Sequence, residues 1–501
     1  MELNTAIDLF KAHQLKMEAY SHAINKMCYD SETVMPCGAS EDLGRALGIL
    51  SEESYKLLVN DELREYIAVI LAHRNDVSFQ VRREAEELND ELTKLGKIPM
   101  EEYVEFQVVQ NEANHVWHSA KVNDDYASFE PLLSKLLDFQ KRFALYYEPD
   151  KDAYDTWLNE FEKGLSTEVL DTFFADVRAK LVPLIKRIGK AKQPDDSFLN
   201  VFYPLEVQKK LSDYLMQTLT IERGYCGIGE AEHPFTTEFN KHDVRITTHY
   251  HEYAMASSMF SVIHECGHAL YELNIGDELI GSSLGGGSSM GIHEGQSRFF
   301  ENMIGRSEAF IEYIFPKLLA LFPVQLADVS AHSFYLAINK SAPSLIRTEA
   351  DELTYSLHIM VRYELEKRLF NGTLTTKELP EAWNALYYEY LGVTVPSNRE
   401  GVLQDSHWAG GSFGYFPSYS IGSAYSAQIF AAMQKDIDIY SLVKKGNLSP
   451  IVEWLTARIY KHGQLLKPDE LIQSACGAPF DPIYYTDYLI KKFNDIYGFN
   501  S

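Results

Sequence analysis

The stretch 166–188, STEVLDTFFADVRAKLVPLIKRI, sets the expected fold class. Leu170, Phe173, Phe174, Val177, Leu181, Leu184, Ile185 and Ile188 recur at steps of three and four. That spacing lays them along one face of a helix. Ser166 or Thr167 can cap its first turn by accepting a backbone N–H. Pro183 lies inside the pattern and predicts a kink. Similar stripes run through 128–147, 304–322, 352–369 and 451–460. Strand-like alternation is scarce. Its best instance is 243–250, where Val244, Ile246, Thr248 and Tyr250 alternate with Arg245, Thr247 and His249. The expectation is an all-α, mainly helical fold with a small β element.

Breaks between stripes are short. The clearest, 276–291, holds Gly281, Gly285, Gly286, Gly287 and Gly291. No Gly-Lys-Ser/Thr follows, so it does not read as a phosphate loop. Other breaks fall at 192–197, 397–401 and 408–414. With no long linker or repeat, residues 1–501 read as one large helical domain. Roughly its first 150 residues, a typical domain length, form a helical lid subregion.

The 501 residues are 46% hydrophobic, enough to bury a large core without cross-links. A formal net charge of −26 repels phosphate backbones and argues against nucleic acid as a partner. Cys28, Cys37, Cys226, Cys266 and Cys476 are odd in number, widely spaced and free of any CxxC pair. They suit a reducing compartment, here the cytoplasm. The first residues lack the continuous apolar stretch of a signal peptide. No apolar run reaches about 18 residues, so no membrane span is expected.

His264-Glu265-Cys266-Gly267-His268 carries the chemistry. Histidines four apart on a helix share one face and can hold one zinc ion, with Glu265 beside it. The flanking 255–263 and 269–273 are mostly apolar or small, which suits a buried helix, and Asn274 and Gly276 give it a stop. Gly267 weakens the helix by ~1 kcal/mol relative to Ala, which points to a close neighbour needing the space. A catalytic zinc takes a third protein ligand. Glu272 sits one turn too far. The stretch 291–301, GIHEGQSRFFE, reads as a second helix, and His293, Glu294 and Glu301 are its candidates.

At this point the chain resembles the carboxypeptidase Taq (M32) metallocarboxypeptidases. His233-Pro234-Phe235 matches H-P-F, and 243–247, DVRIT, matches D-x-R-x-T. The H-E-x-x-H at 264–268 is followed by His293-Glu294-Gly295-Gln296, similar to H-E-[SG]-Q. Residues 346–351, IRTEAD, match I-R-x-x-A-D, and 401–408, GVLQDSHW, match G-x-x-Q-D-x-H-W. Glu32-Thr33-Val34-Met35-Pro36 looks like E-T-x-M-P, with Tyr29-Asp30 upstream where the family often has Trp-Asp. The resemblance implies Glu294 as third ligand. It also implies a cleft-bearing helical fold like neurolysin and angiotensin-converting enzyme, a homodimer, and broad specificity for peptides with a free C-terminus.

The expected mechanism assigns further residues. Zinc lowers the pKa of water toward ~7, and Glu265 takes the proton and passes it to the leaving amine. Cobalt can stand in for zinc. His407, Tyr415 and Tyr419 are candidate oxyanion donors, on a segment that Pro417 marks as a loop. His233 is expected to line the site. Arg347 first, and Arg245 second, suit a C-terminal carboxylate because a guanidinium donates two parallel bonds. Asp351 or Asp243 could orient a ligand imidazole. Two other readings remain: a related helical zinc oligopeptidase cutting internally or releasing dipeptides, and a scaffold with a degenerate site. The intact His264, Glu265, His268 and Glu294 argue against the scaffold.

Overall fold

In the computed structural model, which describes residues 1–499, the opening stripe is a helix over Thr167–Ile188. All eight stripe residues are buried, Ser166 accepts the Val169 N–H, and Pro183 stands inside it. The chain begins with α1 (Leu3–Thr33), α2 (Ser40–Leu58), α3 (Asp61–Ala72) and α4 (Phe79–Leu95). Next come α5 (Met100–Asn123), α6 (Tyr126–Tyr147), α7 (Ala153–Phe161), α8 (Thr167–Ile188) and α9 (Leu205–Thr218). Three short strands follow: β1 (Cys226–Glu230), β2 (Thr236–Asn240) and β3 (Asp243–Thr248). Then come α10 (Met255–Leu273) and α11 (Met290–Arg298), which runs into a π-helical turn at Phe299–Gly305. The remainder is α12 (Glu308–Leu321), α13 (Ala331–Ile338), α14 (Tyr355–Phe370), α15 (Leu379–Leu391) and α16 (Pro417–Met433). The last four are α17 (Ile439–Lys444), α18 (Ser449–Arg458), α19 (Pro468–Cys476) and α20 (Ile483–Tyr497).

The sheet order is β1-β3-β2. The central β3 runs parallel to β1, with Cys226 opposite Val244, and antiparallel to β2, with Thr236 opposite Ile246. Only β3 shows the alternation expected of a strand. β1 reads Cys-Gly-Ile-Gly-Glu, and glycines carry no pattern to detect.

Two apolar cores form. The smaller joins Phe10 of α1 to Leu63, Ile67 and Ile70 of α3 and to Val81, Leu88 and Leu92 of α4. The larger begins at Phe106 on α5 and extends to Phe493 on α20. Polar bonds tie the two units together. Lys26 pairs with Asp243 at 2.8 Å, Lys94 with Glu160 at 2.6 Å, and Ser282 donates to Glu84 at 2.6 Å.

Pro417 requires a correction. It does not mark a loop; it opens α16, because the first helical position needs no N–H and proline's fixed φ suits it. Tyr419 therefore sits in that helix's first turn.

Close approach of α10 and α11 explains Gly267. A Cβ there would lie 2.6 Å from the Ser297 Cα and 2.7 Å from the Gln296 carbonyl oxygen. Gly422 of α16 is equally confined, with Glu294 Cβ at 2.9 Å. Replacing Gly267 with alanine should gain ~1 kcal/mol of helix propensity. It should lose more by overpacking against backbone, about 1–3 kcal/mol. A lowered thermal midpoint for Gly267→Ala is the expected result, and an unchanged or raised one would refute the close approach.

Candidate active site

The histidines of α10 project toward α11, because residues four apart share a helix face. His264, His268 and Glu294 each bring a donor atom within 4.8 Å of the others. Glu294 Oε2 lies 3.7 Å from His264 Nε2 and 3.6 Å from His268 Nε2. Of the three acceptable third donors, the structure brings Glu294 to that point and gives the other two different work.

Glu301, in the π-helical turn, accepts the His264 Nδ1–H at 2.9 Å. His293 Nε2–H donates to Glu272 at 2.6 Å, and its Nδ1 shares a 2.5 Å hydrogen bond with His268 Nδ1. Glu301 and His293 thus engage the Nδ1 atoms of the two imidazoles, and both Nε2 atoms face Glu294. That donor set, two imidazole nitrogens and a carboxylate, fits a zinc-type cation. The carboxylates that orient the imidazoles are therefore Glu301 and Glu272. Neither Asp243 nor Asp351 does so: Asp243 pairs with Lys26 and Arg245, and Asp351 accepts the N–H groups of Ala342, Leu353 and Thr354.

Electrostatics follow from burial. Burial pushes His268 down to about 3, which keeps it neutral. For His264 burial opposes the charged form, but Glu294 and Glu301 overcome it and raise the value. Burial also opposes the charge on Glu294, yet Arg298 and His264 hold its carboxyl well below the usual range. Glu265 is 6% exposed, and burial pushes its carboxyl up, against the pull of His264 and of the Thr236 hydroxyl that donates to it at 2.6 Å. Thr236 reaches it from β2, on the same sheet face as Ile246.

These groups open on a cavity of about 680 Å³, which also exposes Tyr415, Tyr419, Phe235 and Glu238. The Tyr415 and Tyr419 rings meet edge-on at 5.2 Å. His407 lies behind them, its Nε2 3.4 Å from the Tyr419 hydroxyl and its Nδ1 without a partner. Burial lowers His407 to about 4, so it is neutral near pH 7.

Arg347 is buried beneath Tyr419, 5.1 Å from that ring, rather than on the cavity wall. Its guanidinium is already engaged: Nε and a terminal nitrogen reach Asp405 at 3.0 Å, and the other terminal nitrogen reaches the Tyr355 hydroxyl at 3.2 Å. Arg362 binds the same Asp405. Two arginines on one aspartate leave a net positive charge behind the tyrosines.

Arg245 is not brought to the site. Pairing with Thr237 puts it on the sheet face opposite Thr236 and Glu265, where Asp243 occupies its guanidinium and Tyr29 and Phe239 cover it. His233 is exposed, and its neighbours Pro234 and Phe235 line the cavity instead.

Sequence reasoning missed Thr236 and Arg298 as parts of the site, and it set Glu272 aside as a ligand without giving it another role. Glu272 carried a signal: it follows His268 by four residues on the same helix face, one turn beyond the ligand position.

A helix with two metal-spaced imidazoles, a third carboxylate donor and an adjacent free glutamate defines a metallopeptidase-type centre. The chain belongs to the carboxypeptidase Taq (M32) metallopeptidase family, whose model matches residues 9–493, and is a metallocarboxypeptidase, a peptide hydrolase. It is 40% identical over 499 residues to Carboxypeptidase 1 of Bacillus subtilis, covering 99% of this chain and 100% of that one. It is 35% identical over 494 residues to Thermostable carboxypeptidase 1 of Pyrococcus furiosus, covering 98% and 99%. The solved M32 carboxypeptidase of Deinococcus radiodurans superposes with a TM-score of 0.95 at 33% identity, covering 99% of this chain and 100% of that one.

If His293 orients His268, its loss should loosen the metal without removing a donor atom. His293→Ala is expected to weaken metal affinity about 10–100-fold, read by competition with a chelator. Unchanged affinity would leave His293 a packing residue.

Proposed function

We propose that this chain is a zinc carboxypeptidase of broad specificity that removes residues from free peptide C-termini, with His264, His268 and Glu294 as metal ligands. The convergence of those three side chains beside Glu265, in one cavity, carries the reading. Zinc, or cobalt in its place, supplies Lewis acidity toward a carbonyl and lowers the pKa of water toward ~7.

Every other task falls to side chains of this chain. Glu265 takes a proton from the attacking water and returns it to the leaving amine; its raised carboxyl suits both transfers. Thr236 holds one Glu265 oxygen, fixing the carboxylate's aim. Tyr415 and Tyr419 line the cavity and serve in this reading as donors to the oxyanion, with neutral His407 beside the Tyr419 hydroxyl. Arg347 contributes to substrate binding through the positive charge that it and Arg362 leave beneath the tyrosines. Asp405 occupies its donors, so a direct two-bond grip on the C-terminal carboxylate is not the mode we favour.

The whole chain forms the catalytic domain in this reading, and the N-terminal helices are its lid: Arg83 and Glu87 of α4 line the same cavity as His264, His268 and Glu294. We include a homodimer, supported by the apolar stripe Met100, Val104 and Val108, 75%, 55% and 61% exposed on α5. A cytoplasmic site of action is supported by five unpaired thiols. Among the described residues no helix is long and apolar enough to cross a membrane.

Three experiments test the reading. Glu265→Gln should keep its metal and lose roughly 10²–10⁴-fold in kcat; retained turnover would remove Glu265 as the base. Chelation should abolish hydrolysis, and added zinc or cobalt should restore it. Peptides with amidated C-termini should resist cleavage. Equal cleavage of amidated and free peptides would favour an oligopeptidase that cuts internally.

A further inference from the structure

Arg298 stands one helical turn beyond Glu294 and is enclosed with it. Its Nε–H donates to Glu294 Oε1 at 2.7 Å. One terminal nitrogen donates at 3.2 Å to Glu301 Oε2, the same oxygen that accepts the His264 Nδ1–H. The Tyr355 ring covers the guanidinium, with the central carbon 4.3 Å from its centroid. One planar cation therefore spans the carboxylate facing both imidazoles and the carboxylate orienting one of them.

The division of oxygens on Glu294 is the informative detail. Oε1 belongs to Arg298, while Oε2 faces His264 and His268. A carboxylate with both oxygens free can close on a cation through both. Here the guanidinium fork holds one of them away.

We propose that Arg298 is a positioning residue that restricts Glu294 to one donor oxygen and so keeps a coordination position open for water and substrate. This rests on the reading of His264, His268 and Glu294 as the metal site. Lysine cannot replace the fork: a compact ammonium on a flexible stem does not bridge two carboxylates in a fixed plane. In Arg298→Lys both Glu294 oxygens become available, and Glu301 loses the donor that fixes it against His264.

The test uses the cobalt-loaded full-length protein. In Arg298→Lys the visible d–d bands should weaken, because a second Glu294 oxygen raises the coordination number. The cobalt dissociation constant, from chelator competition, should rise about 10–100-fold. The melting temperature of the metal-free protein should fall in either case, because Arg298 balances two buried carboxylates; the bands tell the roles apart, since a merely structural arginine would leave them alone. Bands and affinity identical to wild type would overturn the proposal. Should Arg298→Lys fail to fold, a crystal structure of the zinc-loaded wild type decides. Oε1 still on Arg298 supports the proposal, and both Glu294 oxygens at bonding distance from zinc overturn it. If wild type binds no cobalt at these residues, the metal reading itself fails, a result distinct from wild-type binding with no effect of the substitution.

Discussion

The site depends on how closely α10 and α11 approach each other. No side chain at 267 could fit between them, since its Cβ would fall 2.6 Å from the Ser297 Cα. That contact brings Oε2 of Glu294 to nearly equal distances from two imidazole nitrogens, 3.6 and 3.7 Å. Gly422 lets α16 press from the other side, so Glu294 is held between two helices. A helix pair spaced by larger residues would keep the same sequence motif and lose the triangle of donors.

Around that triangle the structure places an unusual density of buried charge. Glu294 and Glu301 lie beneath the imidazoles, and Arg298 and Arg306 balance them. Asp405 sits between Arg347 and Arg362. Buried ions of this kind are costly unless their partners stay in place. The pairs are therefore coupled to packing: Tyr355 touches Arg298 through its ring and Arg347 through its hydroxyl, linking the metal residues to the arginine cluster.

Much of this was legible in the sequence, for physical reasons. Helical stripes such as 166–188 emerge because one apolar face repeats every 3.6 residues. His264, Glu265 and His268 were legible because their relation is local to one helix turn. Glu294 lay among three acceptable candidates, and resemblance to a family, not spacing, singled it out. What spacing could not supply was the register of one helix against another. That register turned His293 and Glu301 into partners of the imidazoles rather than ligands. Arg347 and Arg245 both carried the right chemistry for a carboxylate, but their fates depended on Asp405, 58 residues away, and on which sheet face a short strand presents. Pro417 misled because proline breaks a helix interior yet starts a helix well.

The π-helical turn at Phe299–Gly305 makes the site sensitive to chain length. Such a turn is an α-helix widened by one inserted residue. Deleting Phe299 or Phe300 would restore ordinary winding and re-aim the residues within the turn, Glu301 among them. Glu301 would then leave His264, although every ligand kept its identity. Substitutions there can be absorbed one at a time. A lost residue cannot, because it takes Glu301 from the orientation that meets His264.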